Sequence, residues 1–253
     1  MNFLRKLFFG VLLTSAMTVS AQDFSSLAIS EPKTKAVFAK ILPDIPYFSA
    51  KTVMGMFDSK NTLLKKLPMN LTLTRDGMLD EIDVMQMPFP QPMREAMQEA
   101  HLNKINIITR TDVKKVYVVF PGIQAYEEFP IADAVLDEMT QRANTVNIQT
   151  QELGQITVDG HECTNVKLTV TETNLPPEFA MLARANDLQN FPIRLELYTK
   201  TSITRFIFEN VQLKEPDASL FEVPSNYTLF TNTADIMRYA REKSQNASGN
   251  TPQ

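Results

Sequence analysis

A single cysteine, Cys163, stands in 253 residues, so no intramolecular disulfide is possible. Tryptophan is absent, histidine occurs only at 101 and 161, and glycine only seven times. A zinc site needs three or four converging nitrogen or sulfur ligands, and this chain has too few to build one from Cys and His. Neither a glycine-rich phosphate loop nor the spacings G-x-S-x-G or H-E-x-x-H occur. Basic and acidic residues number 25 and 29, for a formal charge of −4, with no basic patch of the kind that binds nucleic acid. These absences predict no cofactor, no metal, no nucleic-acid partner and no enzymatic activity.

The one apolar run near the N-terminus, Leu7 to Leu13, follows Arg5 and Lys6. It is too short to span a bilayer, which takes about 20 apolar residues. Val19-Ser20-Ala21 fits the small-x-small rule of a signal peptidase site. Residues 1–21 are read as an export signal and the mature chain as soluble and without a transmembrane segment. Loss of Arg5 and Lys6 takes the formal charge from −4 to about −6. Asn70, Asn226 and Asn246 match Asn-x-Ser/Thr, a weak signal on its own.

The rest reads as one domain, 22–243, with a polar tail, 244–253, expected to be disordered. Met69, Leu71 and Leu73 alternate with polar residues before Asp76-Gly77, a favoured hairpin turn, and Ile82 and Val84 continue after it. YFSAKTVMGMFD precedes them as a third strand. INIITRTDVKKVYVVFPGIQAYEEFP, the stretch around Val166, Leu168 and Val170, the stretch around Ile193, Leu195 and Leu197, and FIFENVQL add more strands. Met93, Ala96, Met97 and Ala100 after Pro92, and Ala132, Val135, Leu136 and Met139 after Pro130, follow helical spacing. PPEFAMLARANDL and TADIMRYAREKSQ are read as two further helices. Antiparallel hairpins with a few one-faced helices predict an α+β fold.

In ITVDGHECTNVKLTVTET the base His161, the acid Glu162 and the thiol Cys163 stand side by side. Strand alternation puts His161 and Cys163 on one face and Glu162 on the other. Nothing ties His101 to Cys163 as the paired base that a nucleophile needs. Cys163 is read as a small buried hydrophobe on the inner face of a sheet. Asp80, Glu81 and Asp83, next to a turn, are read as a solvated edge. Thirteen methionines are read in two ways, as core filling or as the lining of a pliable apolar cavity. The residues assigned to that cavity are Met56, Met85, Met87, Phe89, Met93, Met97, Met139, Phe179, Phe206 and Phe208.

ITRTDVKKVYVVFPGIQAYEEFPI, LGQITVDGHECTNVKLTV, DLQNFPIRLEL and FENVQLKEPDASLFEVPSNYTLF, the last with Asp217, Phe221, Pro224 and Tyr227, resemble the recurring blocks of a family of exported proteins. That family is related in fold to LolA, LolB and the LppX/LprG lipid carriers, and the resemblance spans residues 48 to 230. Related sequences often carry a Trp just before the DLQNFP block; here PPEFAMLAR stands there. The resemblance implies an incomplete antiparallel β-barrel, a LolA-like half-barrel wrapped around a few helices, in a Gram-negative periplasm. The function it implies is a non-enzymatic carrier or chaperone for a lipid, an acyl chain or a lipoprotein. The alternative is an envelope structural or protein-interaction module whose barrel is filled by its own side chains.

Overall fold

The structure is a computed structural model that describes residues 45–87, 89–137, 147–171, 177–198 and 201–249. The predicted export signal, Met139 and the polar end beyond residue 249 lie outside them.

Two runs of antiparallel hairpins make one sheet. The first run comprises β1 (Phe48–Asp58), β2 (Leu63–Leu73), β3 (Gly77–Asp83), β4 (Lys104–Arg110), β5 (Lys115–Phe120) and β6 (Ala125–Pro130). The second comprises β7 (Asn147–Val158), β8 (His161–Thr171), β9 (Glu178–Ala185), β10 (Phe191–Tyr198) and β11 (Ser202–Gln212). Pairing of β1 with β11 joins the two runs. A short strand, β12 (Thr228–Phe230), adds in parallel to β6. The order is β12-β6-β5-β4-β3-β2-β1-β11-β10-β9-β8-β7, with β12 and β7 at the two ends. The sheet is open, the incomplete antiparallel barrel that the family resemblance implies.

Turn chemistry sets the registers. Asp159 (φ 48°) and Gly160 (φ 85°) both sit at positive φ between β7 and β8, the conformation of the two-residue turn that suits a twisted hairpin. Asp76-Gly77 behaves differently. Gly77 is already a strand residue paired with Arg110, and the loop is closed by the Thr74 N–H donating to Gly77 O (2.8 Å). Glycine is needed at 77 because a β-carbon would stand 2.6 Å from the Phe221 ring.

The helix α1 (Gln91–Glu99) carries Pro92 in its first turn, as expected. A second helical turn, 133–137, follows Pro130. The C-terminal helix α2 (Thr233–Gly249) is longer than the sequence suggests and takes in residues 244–249 of the expected tail. PPEFAMLARANDL is not a helix. From Glu178 to Ala185 it is β9, followed by a 3-10 turn at Asn186–Leu188. The reason is tertiary: this segment hydrogen-bonds to β8 on one side and β10 on the other, and that demand outweighs the helix propensity of its Ala, Leu and Met.

The inner face of the sheet carries two apolar groups. One lies on β8–β11 and the adjoining ends of β1–β3, built around Phe48, Phe191, Phe206, Phe208 and Leu195. The other lies on β3–β6 and is covered by α1 and α2 through Met97, Ala100, Ile236 and Ala240. Met54 on β1 packs against both. Gly122, in the turn after β5, allows this covering, since a β-carbon there would meet His101 O at 2.1 Å. The outer face of β3–β6 holds a third group, Leu79, Ile108 and Val119, covered by Phe221, Val223 and Tyr227. The Asp217–Tyr227 motif is therefore a clasp. Asp217 accepts from the Ser219 N–H (2.9 Å), which holds its carboxyl below the usual range. Arg110 donates to Phe221 O (3.4 Å) while paired with Asp112.

Candidate functional site

Strand alternation decides which side chains meet on the inner face. On β1 the inward positions are Phe48, Ala50, Thr52, Met54 and Met56, and on β11 they are Thr204, Phe206 and Phe208. Phe48, Phe191 and Phe208 pack edge to face, with ring centroids 4.9 to 6.0 Å apart, the favoured geometry for aromatic pairs. Phe206 stacks on Phe208 at 6.4 Å. Met87, Phe89, Met93 and Met97 gather in the second group, where Met54, Met69 and Met237 join them.

The predicted lining residues thus fall into separate places. Phe206 and Phe208 belong to the aromatic group, and Met87, Phe89, Met93 and Met97 to the methionine-rich group. Met56 is half-buried near the end of β1, and Met85 sits half-buried in a 3-10 turn, its N–H donating to Asp83 Oδ1 (3.0 Å). Phe179 is 41 % exposed and lies on the outer face, with Lys167 Nζ 4.6 Å from its ring centre. It does not line the interior, because β9 is a strand whose inward positions are Ala180 and Leu182. On α1, Ala96 is exposed and Met93 half-buried, so the buried stripe narrows to Met97 and Ala100.

The inner face is not wholly apolar. Thr52, Thr109 and Thr204 are buried on it, and the Thr109 hydroxyl has no hydrogen-bond partner. Asp80 (4 % exposed) corrects the reading of a solvated edge: it faces inward between Met78 and Ile82, Glu81 is exposed, and Asp83 caps the following turn. The cross-strand pairs Asp80–Ile107, Ile107–Val118 and Val118–Glu127 place two buried carboxylates in one row. Both are engaged with other groups of the chain, as burial of a charge in an apolar wall requires. Alternation alone places Asp80 inward, so the pattern Met78, Asp80, Ile82 held that signal.

His161 and Cys163 do not form a nucleophile and base. His161 Nδ1 lies 2.8 Å from Asp187 Oδ2, and the Cys163 thiol donates to His161 O at 3.5 Å. Cys163 is fully buried, and burial pushes its thiol above the ordinary value. A thiol reagent at neutral pH is expected to leave Cys163 unmodified in the native protein and to titrate one thiol after denaturation; rapid native labelling would contradict this burial. Among the described residues no group of three or more His, Cys, Asp or Glu is placed to hold a metal ion. No described helix is long and apolar enough to cross a membrane.

No family model matches the chain, and no curated protein matches its sequence. Solved structures do. The Mycobacterium tuberculosis lipoprotein LppX is similar at 12 % identity, with a TM-score of 0.41, over 78 % of this chain and 98 % of that one. A LolA superfamily protein from Nitrosomonas europaea is similar at 12 % identity, with a TM-score of 0.35, over 81 % and 98 %. MucB in complex with MucA from Pseudomonas aeruginosa is similar at 10 % identity, with a TM-score of 0.37, over 78 % and 64 %. LolA-like and LppX-type proteins are the kinds the sequence resembles. The likeness is one of fold, at TM-scores below 0.5, and the functional reading rests on the chain's own residues.

Proposed function

We propose that this protein is a non-enzymatic carrier of the bacterial periplasm, binding a lipid or lipoprotein acyl chain against the inner face of its open sheet. The observation that carries the reading is the methionine-rich group. Met54, Met69, Met87, Met93, Met97 and Met237 converge where α1 and α2 pack on the sheet, and most are only partly buried. Methionine is flexible and polarizable, suited to a varied apolar ligand. Each buried CH₂ of an acyl chain contributes about 0.8 kcal/mol, so a shallow apolar wall is enough for micromolar binding. The partly buried set Met87, Phe89 and Met93 lies where α1 meets the sheet and is the proposed contact region.

Native mass spectrometry of delipidated protein mixed with fatty acids and phospholipids tests this. Adducts of one lipid per chain are expected. If no lipid of either class adheres, the carrier reading falls.

A second reading has its own support. Phe48, Phe191, Val118 and Ile123 have zero exposure, as they would in an interior filled by its own side chains. On that reading the protein is an envelope interaction module. Lipid extraction from protein purified out of its native periplasm separates the two, since a filled interior yields no stoichiometric lipid.

A further inference from the structure

On the outer face, at the end where β1 runs into β2 and β10 into β11, a row of apolar residues crosses the sheet. The register pairs Leu63 with Phe57, Phe57 with Ile203, Ile203 with Tyr198, and Tyr198 with Phe179. Leu63, Leu64 and Phe179 are 51 %, 58 % and 41 % exposed, although side chains on an outer face are ordinarily polar. The adjoining row is basic: Lys66, Arg205 and Lys167 lie along the register Lys66–Gly55–Arg205–Glu196–Met181–Lys167. Two of these cations stand over the rings of the apolar row. The Arg205 guanidinium is 4.5 Å from the Phe57 ring centre and Lys167 Nζ is 4.6 Å from that of Phe179.

The carboxylates nearby are engaged by groups of the chain. Glu196 is 8 % exposed, held by Arg205 Nε (2.7 Å) and by the Tyr198 hydroxyl. Burial and that bond push the Tyr198 phenol up to about 12. Asp58 accepts from the N–H groups of Lys60 and Thr62 in the turn. Exposed Lys60 and Lys66 therefore give this end a positive face on a chain whose formal charge is −4.

We propose that this end of the sheet docks on an anionic bilayer surface. Exposed leucines and aromatics enter the headgroup boundary and the flanking cations meet lipid phosphates. Charge complementarity selects this occupant, because an acidic chain is repelled from such a surface everywhere except at a basic patch. The inner wall reaches the same end through Met56 and Leu197, so docking brings the proposed lipid-binding face to the membrane. The functional meaning of docking rests on the carrier reading; docking itself does not.

The test is co-sedimentation of the mature chain with phosphatidylcholine vesicles, with and without about a third phosphatidylglycerol, across salt concentrations. The parent is expected to sediment with the anionic vesicles and to be released as salt rises. The variant Leu64→Ser/Lys66→Glu is expected to bind them about tenfold more weakly with an unchanged melting temperature, since both side chains are exposed. Uptake of a fluorescent fatty acid in vesicle-free buffer is expected to stay at the parent level. A parent that stays in solution, equal binding to neutral and anionic vesicles, or a variant that binds as well as the parent overturns the proposal. A parent dimer that the variant abolishes in sedimentation velocity would assign the row to a second copy instead. Failure of fatty-acid uptake with vesicle docking intact sinks the carrier reading and leaves docking standing.

Discussion

Met97→Glu is expected to unfold the protein rather than to tune its binding. Met97 is 6 % exposed on α1 and packs in the group that includes Ile105, Val118 and Ile236. A carboxylate there loses its hydration among apolar neighbours, at a cost of about 4 kcal/mol or more. Denaturant titration should move the midpoint by most of the stability of an ordinary domain of this size. The neighbouring change Met93→Glu is the contrast, because Met93 is half-buried. Its cost should be about 1 kcal/mol, with the fold retained and acyl-chain affinity reduced. The pair separates packing from binding on a single helix. A Met97→Glu protein that melts like the parent would place the side chain in a wet, exchangeable site, and a Met93→Glu protein that binds lipid normally would remove α1 from the contact region.

Phe191→Ala should cost about 3–5 kcal/mol. Phe191 has no exposure, and its ring meets Phe48 at 4.9 Å and Phe208 at 5.4 Å, both edge to face. The loss combines transfer of the ring, the cavity left behind and two aromatic contacts. If the surroundings hold their shape, the vacated volume is dry and should take up a small apolar molecule such as benzene, which would raise the melting temperature of the variant and not of the parent. A cost below about 1 kcal/mol would mean that the β8–β11 interior is loose enough to collapse, and would favour an adaptable cavity over a filled one.

Much of the sheet was legible because side-chain alternation is local. Leu71 and Leu73, Val166 and Leu168, and Ile193, Leu195 and Leu197 are all buried where period two puts them. The Asp159-Gly160 turn was legible because two successive positive-φ positions demand such residues. The burial of Cys163 was legible from its residue type, not from alternation, since position 163 has the opposite parity to Val166 and Leu168. Phe179 and the β9 segment were not legible: Ala, Leu, Met and Arg favour a helix, and nothing within residues 177–185 announces that β8 and β10 will leave an open edge on either side. The candidate lining set suffered in the same way, since residues chosen by type were divided by the sheet between two inner groups and an outer face.

By itself the sequence determined the class of the fold, the hairpin registers at well-formed turns, and the absence of a thiol- or histidine-rich chemical centre, because each depends on residue types and on spacings of a few positions. Only the tertiary structure decided where the two hairpin runs meet, through β1 and β11, and that Asp80 and Glu127 share one buried row. It also decided that Phe57, Tyr198 and Phe179 line up beside Arg205 and Lys167. Phe57 stands more than a hundred positions from the other four, and only inter-strand hydrogen bonding, which carries no signature in any one strand, sets them side by side.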